Sequence, residues 1–260
     1  MGILEAYGSA ALVIFIYVNC VFVVALLIKN NSIMDIAWGV GFVCVAAVTL
    51  LLSKEITARK GIVTALVFIW GIRLATHVFL RNKGKPEDYR YANWRNQWGK
   101  WFVWRSYFQI FILQAILLLI IASSIILVNR SLNTGLSLFD MTGVIFWCAG
   151  FSFESVGDYQ LTRFKRDSAH KGRIMTSGLW RYSRHPNYFG EVLLWWGIFI
   201  IALSVEYGWA AIVSPLLVTF LLLRVSGVAM LEKKYAGHAE FEAYAKKTSA
   251  FIPWFPKSKE

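Results

Sequence analysis

The stretch "GLWRYSRHPNYFGE", residues 178–191, places Arg181, Arg184, His185, Asn187 and Glu191 directly ahead of the apolar run "VLLWWGIFIIALSV". Pro186 suits the first turn of a helix, where its missing N–H costs nothing. Asn187, Tyr188 and Glu191 then occupy the opening turns, and a helix N-terminus surrounded by arginines favours anionic groups. Upstream, Glu154 and Asp158 are four residues apart and share one helix face. Like charges at that spacing repel, so the two acids call for a cation or for hydrogen-bond donors. The segment between them and the motif carries Arg163, Lys165, Arg166, Lys171 and Arg173. Cations above and acids below suit a nucleotide with a phosphate end and an uncharged reactive end, because carboxylates accept from ribose hydroxyls or a carboxamide. No GxGxxG follows a strand, so a Rossmann module is absent.

The elements that position these residues are membrane helices. Of the 260 residues 57% are hydrophobic and 16% charged, against about a quarter charged in a soluble domain. Seven apolar blocks, about 6–28, 33–52, 61–80, 106–128, 139–160, 188–205 and 207–231, approach the roughly 20 residues of a spanning helix. The sixth is the shortest and reaches spanning length only if the residues from Tyr188 onward enter the membrane. The predicted fold is all-α and polytopic, with about seven transmembrane helices in one membrane domain over 1–260. The first block has no basic residues before it and is not a cleavable signal peptide. Cys20, Cys44 and Cys148 lie inside apolar blocks, behave as small hydrophobes and lack metal-ligand spacing, so no metal is expected. Gly39, Gly41, Gly71, Gly143 and Gly150 read as points of close helix packing. Trp94, Trp98, Trp101 and Trp104 form one helical stripe, predicted to lie at the membrane interface.

Charge sets the orientation. The net charge is +12, and the cations concentrate at Lys29, in the loops 81–105 and 161–187, and in the tail to Lys259. The opposite side has only Lys54, Arg59, Lys60 and Arg130. Positive charge stays cytoplasmic, which predicts an external N-terminus and a cytoplasmic C-terminus. Basic residues tethered between spans are not a nucleic-acid footprint; the bilayer, including its anionic head groups, is the expected partner. Within or near the spans, Arg73 and His77 share a helix face, and Asp35, Glu191 and Arg224 lie at span ends. Such groups pair, snorkel or face a cavity.

The motif at 178–191 resembles the C-terminal signature of the steroid 5-alpha-reductase family, most closely the bacterial DUF1295 members. "MDIAWGVGF" (34–42), "RLATHVFLRN" (73–82), "EDYRYANWR" (87–95), "ESVGDYQLTRFK" (154–165) and "SAFIPWFP" (249–256) extend the resemblance over most of the chain. It implies a seven-span helical fold and NADPH-dependent reduction of a carbon–carbon double bond conjugated to a carbonyl. A lipophilic substrate, steroid-like or another lipid, would sit in the half 1–130. The half 131–260, with the loop 161–187 and the tail, would bind NADPH. Matched residue by residue, Asp158, Lys165, Asn187, Glu191 and Tyr235 would contact the nucleotide, with Arg163, Arg166, Arg173 and Arg184 drawing its phosphates. The family's Gln-Glu pair and tyrosine that hold a steroid ketone have no counterpart here. Reduction of an enone needs a donor at the carbonyl oxygen, and His77 or a protonated Asp35 is the candidate. A rival resemblance is to membrane methyltransferases of the isoprenylcysteine carboxyl methyltransferase type, which share an "RHPxYxG"-like element and a tail like "MLEKKYAGHAEFEAYAKK" and use S-adenosylmethionine. The "NYFGE" form, "ESVGDYQL" and the cations of 161–187 favour the reductase. A transporter is disfavoured because no pair of broken helices occurs at midplane.

The charge bias generates a topological prediction. Reporter fusions at Lys60, Gly84, Gly135, Gly172, Tyr207 and Glu260 should alternate between the two sides of the membrane, and a cytoplasmic signal at Gly135 would overturn the assignment.

Overall fold

A computed structural model describes residues 2–257; Lys259 and the fusion position Glu260 lie outside the described residues. All regular elements among these residues are helical, apart from an isolated bridge between Ser183 and Ser249. We number the helices α1 (Ile3–Ile28), α2 (Ile33–Leu51), α3 (Ala58–Asn82), α4 (Tyr89–Ile121), α5 (Ser123–Arg130), α6 (Leu138–Arg166), α7 (Pro186–Ala202), α8 (Gly208–Tyr235) and α9 (Ala239–Lys247).

Five of these, α1, α2, α3, α4 and α8, are long and apolar enough to cross a membrane. The expected count of about seven is therefore not reproduced. Helix α6 has the length, at 29 residues, but carries Asp140, Glu154, Asp158 and three basic residues in its last turn. Helix α7 has 17 residues, just short of the roughly 20 needed. The tryptophan stripe is divided within α4: Trp94 and Trp98, stacked at 5.5 Å, lie on the helical segment Tyr89–Trp98, and Gly99, at φ 48°, separates them from Trp101 and Trp104.

The chain divides into two compact units. Unit one comprises residues 1–137 and 201–214. Helix α1 is apolar all round, and the stripe it buries is small: Ala6, Ala10, Ile14, Val18, Val21 and Ala25. Its larger side chains Leu4, Leu12, Phe15, Ile16 and Leu27 point outward. That arrangement would aggregate in water and suits lipid, where close packing rather than hydrophobic burial joins helices. Helices α2 and α3 meet at Gly39 and Gly71; a Cβ on Gly39 would lie 2.5 Å from the Gly71 carbonyl oxygen. Polar groups close internally, as lipid requires: the Tyr17 hydroxyl donates to the Ala37 carbonyl at 2.7 Å, and Asn129 donates to Thr49 Oγ1 at 2.9 Å.

Unit two comprises residues 138–200 and 215–260, and its organising feature is a glycine seam between α6 and α7. Gly143 meets Gly197, Gly150 meets Gly190, and Gly157 meets Asn187. The α6 glycines recur every seven residues, so one seam keeps facing the partner helix along the contact. At Gly150 a Cβ would stand 2.5 Å from both the Gly190 oxygen and the Leu194 nitrogen. These are backbone atoms, which cannot swing aside. Gly150→Ala should therefore separate the two helices and destabilise the protein by about 1–3 kcal/mol, the usual cost of overpacking. Gly61→Ala on α3, where a Cβ meets nothing within 4 Å, is the control. Thermal unfolding in detergent should show a lowered midpoint for the first variant and no loss for the second.

Candidate functional site

The seam delivers two of the predicted residues to each other. Gly157 lets α6 approach the first turn of α7, and the Asn187 amide nitrogen donates to Asp158 Oδ1 at 3.1 Å. A carboxylate cannot donate, so this bond orients the amide: its NH2 faces Asp158 and its oxygen faces away. Asn187 Oδ1 is buried with no hydrogen-bond partner. A buried acceptor left unmade costs about 1–3 kcal/mol, and at the mouth of a helix it marks a place for a donor. Asp158 is 8% exposed and Glu154 is 2% exposed. Glu191 follows Asn187 by one turn of α7 and is half-buried.

A short distance along α6, Leu161, Phe164 and Lys165 line a cavity of about 100 Å³. Arg173, Trp180, Arg184, His185, Tyr235 and Phe241 complete most of its wall. Four predicted residues, Lys165, Arg173, Arg184 and Tyr235, thus gather at one concavity, with an aromatic floor and a cationic rim. Lys165 is exposed; Arg173 is also exposed and reaches Glu240 at 3.2 Å. Arg163 and Arg166 point outward at the end of α6 and do not line the cavity.

The segment 177–185 forms the wall by docking on α6. The Leu179 amide donates to Gln160 Oε1 at 3.0 Å, and the Trp180 indole donates to the Gly157 carbonyl at 3.1 Å. Gly178 adopts φ 64°, and a Cβ there would fall 2.5 Å from the Gln160 side chain. The next residues hold the tail. Arg184 forks onto Glu232, with Nε to Oε1 at 2.9 Å and the second nitrogen to Oε2 at 2.8 Å. Its remaining nitrogen donates to the carbonyls of Ala245 at 3.0 Å and Thr248 at 2.6 Å. Ser183 Oγ donates to the Phe251 carbonyl at 2.7 Å, and the Tyr244 hydroxyl donates to the Trp180 carbonyl. The expectation that Arg184 attracts a phosphate is corrected here. Its three nitrogens are committed to protein acceptors, so it shapes the cavity wall and offers the ligand little.

Glu232 is the residue that motif reading missed, and His185, quoted within the motif, carried no assigned role there. Glu232 is a lone acid within "MLEKKY" and gave no signal by itself; its meaning depends on the pairing with Arg184. His185 is 3% exposed, and its Nε2 lies 2.9 Å from Glu232 Oε1. The neutral ring must donate from Nε2 to the carboxylate, which leaves Nδ1 as an acceptor. Nδ1 is buried and without a partner, beside the cavity.

The catalytic candidates lie in unit one. Asp35 accepts from Arg90 at 2.7 Å and from the Tyr91 hydroxyl at 2.7 Å. Both carboxyl oxygens are thus taken by protein donors, which favours His77 over Asp35 as the donor to a substrate. The cluster is structural. Asp88 accepts from Arg90 Nε at 2.8 Å, and Ser32 Oγ accepts from the Asp88 amide at 2.8 Å. Arg95 forks onto Glu87 at 2.9 and 3.0 Å. "EDYRYANWR" therefore fastens the start of α4 to the start of α2. Burial pushes the Asp88 carboxyl upward, but the hydrogen bonds from Arg90 outweigh it and hold the group below its usual range. His77 stands half-buried on α3, one turn beyond Arg73.

The Arg184–Glu232 clamp generates a prediction with a pH arm. Arg184→Ala strands a partly buried carboxylate and should cost about 3 kcal/mol or more, read as faster hydrogen exchange across 228–257. Burial holds the His185 imidazole below its usual value, with Glu232 opposing. A base with a depressed folded value stabilises fully above its unfolded value of about 6.5 and loses that contribution as pH falls through the folded value. Tail protection should therefore weaken on acidification below about pH 6.5, and His185→Gln, which still donates to Glu232, should flatten that step.

Comparison with known proteins places this geometry in a family. The family described as a protein of unknown function, DUF1295, matches residues 21–248. An uncharacterized protein of Schizosaccharomyces pombe is 27% identical over 212 residues, 72% of this chain and 61% of that protein. A 3-oxo-5-alpha-steroid 4-dehydrogenase 1 of Bos taurus is 30% identical over 114 residues, 44% of this chain and 41% of the enzyme. The chain thus spans less than two thirds of the length of both relatives. No solved structure matches. A polytopic helical chain with a family match over most of its length is a DUF1295 membrane protein, and this chain belongs to that family.

Proposed function

We propose that the protein is a membrane reductase that uses NADPH to saturate a carbon–carbon double bond conjugated to a carbonyl in a lipophilic substrate. The similarity to a bovine steroid dehydrogenase supports the reaction class. The observation that carries the reading is the unpartnered Asn187 Oδ1, oriented by Asp158 of α6, the helix whose later residues Leu161, Phe164 and Lys165 line a cation-rimmed aromatic cavity.

The residues present fit the cofactor in their chemistry. A buried acceptor suits the carboxamide N–H2 of a nicotinamide, and Glu191, one turn beyond, offers a second acceptor on the same face. The cavity is far smaller than a dinucleotide and matches one end of it: an aromatic floor for a ring, Tyr235 at the side, and Lys165 and Arg173 for phosphate oxygens. Arg163 and Arg166 add to the local positive potential that draws an anion from solution. His185 Nδ1 is placed to accept from a hydroxyl. Bound NADPH supplies a hydride. The chain's own task is to fix the ring's presentation, since a displacement of about 1 Å can cost roughly a hundredfold in rate, and to donate at the substrate oxygen, where negative charge develops. His77 is the proposed donor. The substrate, steroid-like or another lipid, would enter from the bilayer on the side of the residues 1–130. We further propose the orientation that the charge bias implies, with the N-terminus outside and the C-terminus in the cytoplasm of a bacterial inner membrane.

Oxidation of NADPH, followed by absorbance in membranes with a panel of lipophilic enones, tests the reading. Lys165→Ala and Arg173→Ala should each raise KM for NADPH about tenfold or more, the loss of one charged hydrogen bond of roughly 1.5–3 kcal/mol. They should also narrow the preference over NADH. Asn187→Leu should lower kcat measured per folded protein, beyond any loss of stability from removing its bond to Asp158. Binding of S-adenosylmethionine with indifference to NADPH would replace the reductase by a methyltransferase.

A further inference from the structure

The end of unit one opposite the Asp35–Arg90 cluster holds a second polar concavity that the proposed reaction does not use. Here the connections around residues 52–57, 131–137 and 203–207 are tied together. Arg59, 1% exposed, donates to the carbonyls of Asn133 at 3.2 Å and of Gly135. The Asn133 amide donates to the Ser204 carbonyl at 3.1 Å, and the hydroxyls of Ser137 and Ser204 lie 2.7 Å apart. Between these connections is a cavity of about 310 Å³ lined by Lys54, Arg130, Ser131, Leu132, Asn133 and Glu206. That volume falls at the lower end of the roughly 300–1,000 Å³ of small-ligand sites.

Its donors converge. Arg130 ends α5, and its Nε is buried with no hydrogen-bond partner. Ser131 Oγ accepts from the Asn133 amide at 3.1 Å, so its own proton is available to a ligand. Lys54 contributes an exposed ammonium. This is also the side of the chain that is poor in positive charge. Of its four cations, Arg59 and Lys60 are buried against backbone carbonyls, Lys60 Nζ on Glu55 at 2.7 Å, and the other two both line this cavity. The single acid of the lining, Glu206, is exposed. Around the polar lining, Leu51, Leu52, Ile56 and Leu132 are 76%, 51%, 68% and 68% exposed. Polar groups within a collar of outward-facing apolar side chains, at the ends of apolar helices, mark the depth of lipid head groups.

We propose that this cavity is a phospholipid site selective for a head group that carries both a phosphate and a primary ammonium. The phosphate accepts from Arg130, Lys54 and Ser131. The ammonium donates to Glu206. The glycerol and acyl chains leave across the leucine and isoleucine collar. A head group with phosphate alone meets the repulsion of Glu206, and a soluble phosphate lacks the contact with the collar.

The test is retention of lipid by native mass spectrometry, after reconstitution in vesicles of mixed phosphatidylethanolamine and phosphatidylglycerol and extraction in mild detergent. Wild-type protein should retain phosphatidylethanolamine preferentially, and added inorganic phosphate should not displace it. Arg130→Gln should lower that retention about tenfold. Glu206→Gln, at an exposed position, should keep lipid bound but erase the preference over phosphatidylglycerol. Lys54→Gln, also exposed, repeats the Arg130 test in a variant whose folding is not in question. Equal retention of the two lipids by wild type, or unchanged retention in both the Arg130 and Lys54 variants, would overturn the proposal. Displacement by inorganic phosphate would reassign the cavity to a soluble anion.

Discussion

Helices α6 and α7 touch backbone to backbone, and the candidate site depends on that contact. Where Cβ atoms are absent at Gly143, Gly150, Gly190 and Gly197 the two helices can close to a distance no other residue permits. Close approach at Gly157 then sets Asn187 beside Asp158. The carboxylate orients the amide, and the amide oxygen becomes a fixed acceptor. A chain of short-range steric facts thus ends in a group with a defined hydrogen-bonding role. In lipid this packing matters more than in water, because apolar area provides no drive for helices to associate.

Arginine–carboxylate pairs fasten the polar ends of the helices. Arg90 gives one bond to Asp35 and one to Asp88 and so binds the start of α4 to the start of α2, while Arg95 forks onto Glu87 just ahead of α4. Arg184 on Glu232 binds the motif segment to the C-terminal tail. The planar guanidinium matches a carboxylate with two parallel bonds, and lysine cannot reproduce this. Lys165 and Arg173 line the small cavity, Arg173 with a single bond to Glu240, and Arg163 and Arg166 are exposed at the end of α6.

Much was legible in the sequence. Apolar blocks of spanning length announced a helical membrane protein, since a bilayer admits few other solutions. Glycines at 143 and 150 announced close packing, and Pro186 announced the start of α7, because each follows from local sterics alone. The spacing of Glu154 and Asp158 placed both on one face. The 178–191 motif identified the family before any contact was visible.

Partnership was not legible, for a physical reason: a side chain's role depends on what stands opposite, and that comes from distant sequence. Arg184 read as a phosphate ligand until Glu232, 48 residues away, took its fork. The oxygens of Asp35 are taken by Arg90 and Tyr91, which reach it across 55 and 56 residues. Composition left the ends of α6, which carries charge, and of α7, which has 17 residues, blurred. The sequence by itself determined that the chain is a membrane-embedded helical protein and which residue types gather near residue 187. Only the tertiary structure decided which of them are bound to each other and which acceptors, Asn187 Oδ1 and His185 Nδ1, are left buried without a hydrogen-bond partner.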